Sequence, residues 1–169
     1  MGHRAVVAYE RPGGEYAVRY SQWGALGYRL LDAITASTPL AGGPDDDEPA
    51  VRPEPLGTAL DVGTVAESYV DPLLHEALFV VSGAFRVRAF EPLAFWRTVP
   101  TAAFGGGVVE LRPDRDPTGE ARELRAWRRG ATALADPPAS SADGDPRDVP
   151  PGDARAVHER LYEIGRAHV

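Results

Sequence analysis

The sequence contains no cysteine and no lysine. Without cysteine there is no disulfide, no thiol nucleophile and no thiolate zinc site. Without lysine, all 18 basic residues are Arg, and the 25 Asp and Glu residues leave a formal net charge of −7. A carboxylate-rich surface free of ammonium groups stays hydrated and self-repelling where salt screens charge over a few Å. An acidic balance of this kind argues against a large nucleic-acid surface. No run approaches the ~20 apolar residues needed to span a bilayer. The opening MGHRAVVAYERPGG has neither a long apolar segment nor a small-residue cleavage site, so a cytoplasmic protein without a membrane partner is expected. Glycine runs are present at Gly13-Gly14 and Gly105 to Gly107, but no Lys-Ser/Thr follows either and neither has the strand-to-helix G-x-G-x-x-G context. They read as turns rather than phosphate cradles.

What is present points to strands joined by tight turns. Glu76 to Phe90, EALFVVSGAFRVRAF, is the densest run of strand formers. Leu78 to Val81 form an apolar arm, Ser82-Gly83 a turn, and Phe85, Val87 and Ala89 alternate against Arg86 and Arg88. A second hairpin pairs Arg4 to Glu10 with Tyr16 to Trp23, across Arg11-Pro12-Gly13-Gly14, where Pro fixes φ and Gly accepts the left-handed region of a type II turn. These readings place hairpins at about 4–11/16–23 and 76–82/84–91, sharing one interior. Leu26, Leu30, Ala33 and Ile34 fit one face of a short helix. Thr64-Val65-Ala66-Glu67 has the spacing of a capping box. Val108 to Leu111 reads as a further strand. Asp116-Pro117 opens an amphipathic helix to Ala135, with Leu124 and Trp127 on one face. Arg122, Arg125 and Arg129 lie on another, solvated face, paired within the helix to Glu120 and Glu123. The fold class expected is α+β, a mainly antiparallel sheet built from hairpins with a few helices packed on it. It forms one domain over 1–135 with an acidic Pro/Gly-rich loop at 38–57. A disordered linker at 136–152 and a C-terminal helix and tail at 153–169 follow, and that helix could join two copies of the chain.

The four histidines are His3, His75, His158 and His168. None forms an i, i+4 pair or a His-x-His, so no metal and no cofactor are expected. His3, Glu10, Tyr20 and His75 are the candidates for acid-base chemistry, each supplied by a strand or its flank. Tyr9, Tyr20, Ser21 and Trp23 are the candidates for ligand binding, because tyrosine on a strand joins an apolar ring to a hydroxyl that needs a partner. A Ser68/Asp71/His75 triad is ruled out by the spacing, and no G-x-S-x-G elbow exposes a serine.

The words GHRA-VAYERP over Gly2 to Pro12, YS-WGA over Tyr20 to Ala25, and HEALFVV over His75 to Val81 together resemble a family of small uncharacterised haloarchaeal proteins. The resemblance covers the chain from its start to about Phe95 and carries no catalytic role. The opening is also similar to class II glutamine amidotransferases and other N-terminal nucleophile hydrolases. In those the second position is Cys; here it is Gly2, and the resemblance implies a degenerate fold lacking its nucleophile.

These readings converge on a non-enzymatic binding or interaction module from a salt-rich cytoplasm. The alternative is a hydrolase-type enzyme with a site near the first hairpin.

Overall fold

A computed structural model describes residues 3–42, 50–94 and 106–135. Within them β1 (Ala5–Glu10) and β2 (Tyr16–Ser21) pair antiparallel, as do β4 (Ala77–Val81) and β5 (Val87–Ala94). With β3 (Gly57–Ala59) and β6 (Gly106–Glu110) they form a six-stranded sheet of order β3-β2-β1-β4-β5-β6. The sheet is mostly antiparallel, and with its helices the fold is α+β. Its centre departs from the hairpin rule: β1 and β4 run parallel, Ala5 opposite Ala77 and Tyr9 opposite Val81.

That parallel pair explains why the two strands are apolar at nearly every position rather than at alternate ones. A parallel pair is stable where both faces of the sheet are covered, and Ala5 to Ala8 and Ala77 to Val81 are all buried. The single interior expected from the hairpins is therefore corrected to two. Ala5, Val7, Phe79, Leu93 and Val109 face one side with Leu30, Ile34 and Leu124, while Val6, Ala8, Val18, Leu78 and Phe90 face the other with Val65.

Three helices cover these faces, and each departs from its expected form. The helix read across Leu26 to Ile34 is a 3-10 turn at Leu26–Tyr28 followed by a single turn, α1 (Leu30–Ala33). Gly27 and Tyr28 break it by adopting φ of 59° and 55°, so Leu26 turns outward and is 46 % exposed. α2 (Val62–Tyr69) begins before the supposed capping box, with Asp61 as its cap and the Asp61 carboxylate accepting the Thr64 amide at 2.8 Å. α3 (Pro117–Ala135) opens on Asp116, whose carboxylate accepts the Gly119 amide. Its acids pair backwards rather than within the helix: Glu120 is buried against Arg112, and Glu123 meets Arg115. Arg125, only partly exposed, reaches across to Glu91 of β5 instead of pairing within its own helix.

Two short features were hidden by composition. β3 lies at the end of the Pro-rich loop, which runs beside β2 with the Arg52 and Leu56 amides donating to the Tyr20 and Val18 carbonyls. The second hairpin turns over Gly83 to Phe85, closed by the Ser82 amide on the Arg86 carbonyl, with Phe85 at φ 57° where glycine is usual. The acidic run 45–48, the apolar segment 95–105, the expected linker 136–152 and the expected C-terminal helix 153–169 lie outside the described residues. Among the described residues no helix is long and apolar enough to cross a membrane.

Candidate functional site

Parallel pairing sets the start of β1 beside the start of β4, and the chain places His3, Arg4, His75 and Glu76 there. The Glu76 amide donates to the Arg4 carbonyl, which carries the register one step past the strands. The Glu76 carboxylate lies 2.9 Å from His3 Nδ1, with both side chains 41 % exposed. A carboxylate on Nδ1 fixes the imidazole's tautomer and leaves Nε2 as the working nitrogen.

The end of β2 brings two more candidates. Trp23 stands 6.3 Å from the His3 ring at 51° and is 48 % exposed. The next residue packs closely: a Cβ on Gly24 would fall within 3 Å of Leu30 Cδ1 and of Ser21 Oγ. The Ala25 amide also ties the loop to the His3 carbonyl. An indole half in water beside an imidazole is available to stack on something else. Tyr20 lies 6.4 Å from the His75 ring, edge-on at 68°, and its hydroxyl donates to Gln22 Oε1 at 2.5 Å. The Arg52 guanidinium sits over the Tyr20 ring at 5.2 Å. His3, Tyr20, Trp23 and His75, gathered from three stretches of sequence, thus meet at one end of the sheet.

The remaining candidates lie elsewhere. Glu10 is at the far end of β1, seven residues from His3 or roughly 23 Å at strand rise, where its carboxylate accepts the Gly83 amide. Tyr9 donates its hydroxyl to the Pro39 carbonyl and its ring lies beneath Arg19; burial holds the phenol well above its ordinary range. Ser21 is fully buried and donates to the Ala50 carbonyl. Gly2, where the hydrolases it resembles carry their nucleophile, is outside the described residues.

Behind this surface is a polar group that sequence reasoning missed. Glu91 is 2 % exposed within the apolar stretch of β5. Arg125 of α3 holds it in a two-pronged grip, Nε to Oε1 at 2.6 Å and the second nitrogen to Oε2 at 3.0 Å, while the Tyr28 hydroxyl donates to Oε2. Burial raises the Glu91 carboxyl above its usual range, and the bonds to Arg125 and Tyr28 pull it back. The Tyr28 phenol is pushed far up by burial and the Glu91 charge, and Arg125 is held more firmly protonated by its bond to Glu91. Both oxygens are engaged, three bonds in all, in joining α3, β5 and the 3-10 turn, so this carboxylate is a tie rather than a free base. A signal was available: a lone acid in the apolar run AFEPLA needs a partner.

His75 is a second fixed imidazole. The Asp71 amide donates to its Nδ1 at 2.9 Å, so its ring proton is on Nε2. Burial lowers its basicity. The folded state therefore binds this proton less tightly than the unfolded one. The stability so gained is present above the unfolded value of about 6.5 and lost as pH falls through the depressed folded value. Unfolding of the wild type followed by denaturant should show this loss, and His75→Asn, which cannot titrate, should be flatter between about pH 7 and pH 5.

A groove of about 650 Å³ opens on the α2 side, lined by Ala66, Tyr69, Val70, Leu73, Gly107 and Val108. It holds none of the candidate side chains. Among the described residues no three His, Asp or Glu side chains are grouped to hold a metal ion.

Compared with known proteins, the chain is matched over residues 1–50 and 43–137 by the model of a family described as of unknown function. No curated protein and no solved structure matches it.

Proposed function

The chain belongs to that family, DUF6735, and from this premise we propose that it is an acidic binding module of a haloarchaeal cytoplasm that presents the strand starts of β1 and β4 as its ligand surface. The observation that carries this reading is Trp23. A half-exposed indole beside His3 contributes little to packing and much to recognition, as aromatic anchors do at binding surfaces. Exposed Leu26 and Leu74 adjoin the same loops. The haloarchaeal assignment is supported by the acid excess behind the net charge of −7, which a GC-rich genome's replacement of Lys by Arg does not by itself require.

The test is a thermal-shift screen of metabolites and short peptides against wild type and Trp23→Ala. A ligand at a hundred times its Kd stabilises by about 2.7 kcal/mol, whereas an exposed substitution by itself changes stability by roughly 0.5 kcal/mol or less. Ligand-induced shifts are expected to vanish in Trp23→Ala while the unliganded melting point stays near wild type. Ligands that stabilise the variant as well as the wild type would remove the surface from this place.

A hydrolase-type reading has one observation in its favour, the part-exposed His3–Glu76 pair made through Nδ1. It would use His3 as general base on water, without Glu10, which is at the other end of the sheet. Turnover of any ester or amide that disappears in His3→Ala would select it over the binding reading.

A further inference from the structure

We propose that the Tyr20 side of this surface is an oxyanion site, which receives a phosphate or carboxylate group carried by the ligand; the proposal rests on reading the strand starts as a ligand surface. Its basis is that hydrogen bonds within the fold consume the acceptors and leave the donors. Gln22 spends its carbonyl oxygen on the Tyr20 hydroxyl, which leaves its NH2 group. His75 spends Nδ1 on the Asp71 amide, which leaves Nε2–H. Arg52 is fixed from both sides of its backbone, its amide on the Tyr20 carbonyl and its carbonyl under the Arg19 guanidinium. Its own guanidinium sits over the Tyr20 ring at 5.2 Å and forms no ion pair among the described residues.

Arg4 completes the set. It also forms no ion pair among the described residues, and its charge is near enough to His75 to oppose protonation of the imidazole. The two neighbouring carboxylates are engaged: Asp71 accepts the Leu73 amide and Glu76 holds His3. The Arg52 guanidinium, an imidazole N–H and an amide NH2 stand around Tyr20, with the Arg4 charge beside His75, and the groups these side chains leave unspent are donors. The ligand chemistry that satisfies donors only is an oxyanion, and planar guanidinium forks match its geometry. Tyr20 and Arg52 position these donors.

The probes are inorganic phosphate and acetate, titrated separately into ¹⁵N-labelled protein in low salt, where screening is weak, at about pH 7.5, where His75 is neutral. The expected result is saturable shifts at Gln22, Arg52 and His75. Affinity should be about tenfold weaker in Arg52→Gln and in Arg4→Gln, the size expected for one charge-assisted bond. Tighter binding of phosphate assigns a phosphorylated ligand and tighter binding of acetate a carboxylate. Shifts that rise linearly without saturation, or wild-type affinity retained in both variants, would mean an adventitious ion only and overturn the site. Loss of a screened ligand in Trp23→Ala, with no phosphate or acetate binding to the wild type, would keep the surface and discard the oxyanion.

Discussion

Arg125→Ala is expected to lower the unfolding free energy by ~3 kcal/mol, with the loss shrinking as pH falls. Removing one partner of a buried pair typically costs about 3–5 kcal/mol, because the remaining charge is left in a medium that does not solvate it. The lower end applies because the Arg125 side chain is 40 % exposed while Glu91 is 3 % exposed. Water can thus follow the truncated arginine inward and replace part of what it gave. The Tyr28 hydroxyl still donates to Oε2, so one bond survives. The pH dependence follows from the direction of the Glu91 shift. Burial already raises its carboxyl and Arg125 is the main opposing influence, so the variant's Glu91 lies higher still. A carboxyl that holds its proton more tightly folded than unfolded contributes most below the unfolded value, about 4.3, and loses that contribution as pH rises through the folded one. The gap between wild type and variant, measured by urea denaturation, should therefore be wide at about pH 8 and narrow toward about pH 5. A gap that is constant with pH would mean that Glu91 is not the group left unpaired. Replacing both partners together, Glu91→Leu with Arg125→Met, should recover most of the loss.

This tie also marks where the sequence was readable and where it was not. Strand formers and turn residues are local signals, so the strands around Val7 and Phe79 and the proline-glycine turn at Gly13 could be read from their own neighbourhoods. Whether β1 lies beside β4, and in which direction, is decided by two surfaces being covered at once, and no local pattern encodes that. The same limit explains Arg125. On a helical wheel it belongs with Arg122 and Arg129, and only the approach of β5 distinguishes it by supplying a buried acid. β3 has three residues and no apolar run, so its pairing with β2 is carried by main-chain bonds to which any composition is blind. The candidate site was half visible. His3, Tyr20, Trp23 and His75 were singled out by residue type and do converge, whereas Glu10 was carried along by proximity in sequence although strand rise takes it to the opposite end. Arg4 and Arg52 escaped notice because charged residues at strand ends are ordinary in themselves.

Phe79→Ala should be the most damaging single truncation, costing about 3–5 kcal/mol. Phe79 is fully buried on β4, and its ring meets Tyr28 edge-on at 6.1 Å and 62°. The void left would lie among strands paired on both sides, where the backbone cannot collapse to fill it, which places the cost toward the upper part of the range. The ring also has a second task. Tyr28 adopts a left-handed φ of 55° after a left-handed Gly27, a conformation that costs a side-chain-bearing residue about 1–2 kcal/mol and persists only where its surroundings enforce it. Phe79 below and Glu91 ahead are those surroundings. Removing the ring should therefore weaken the Tyr28 to Glu91 bond as well as the packing. The measurement that separates the two is a double-mutant cycle of Phe79→Ala with Tyr28→Phe, read as unfolding free energies. If the ring holds the hydroxyl in place, the hydroxyl is worth less once the ring is gone, and the two losses combine to less than their sum by at least about 0.5 kcal/mol. Strict additivity would show that Glu91 alone positions Tyr28 and that Phe79 is a packing residue.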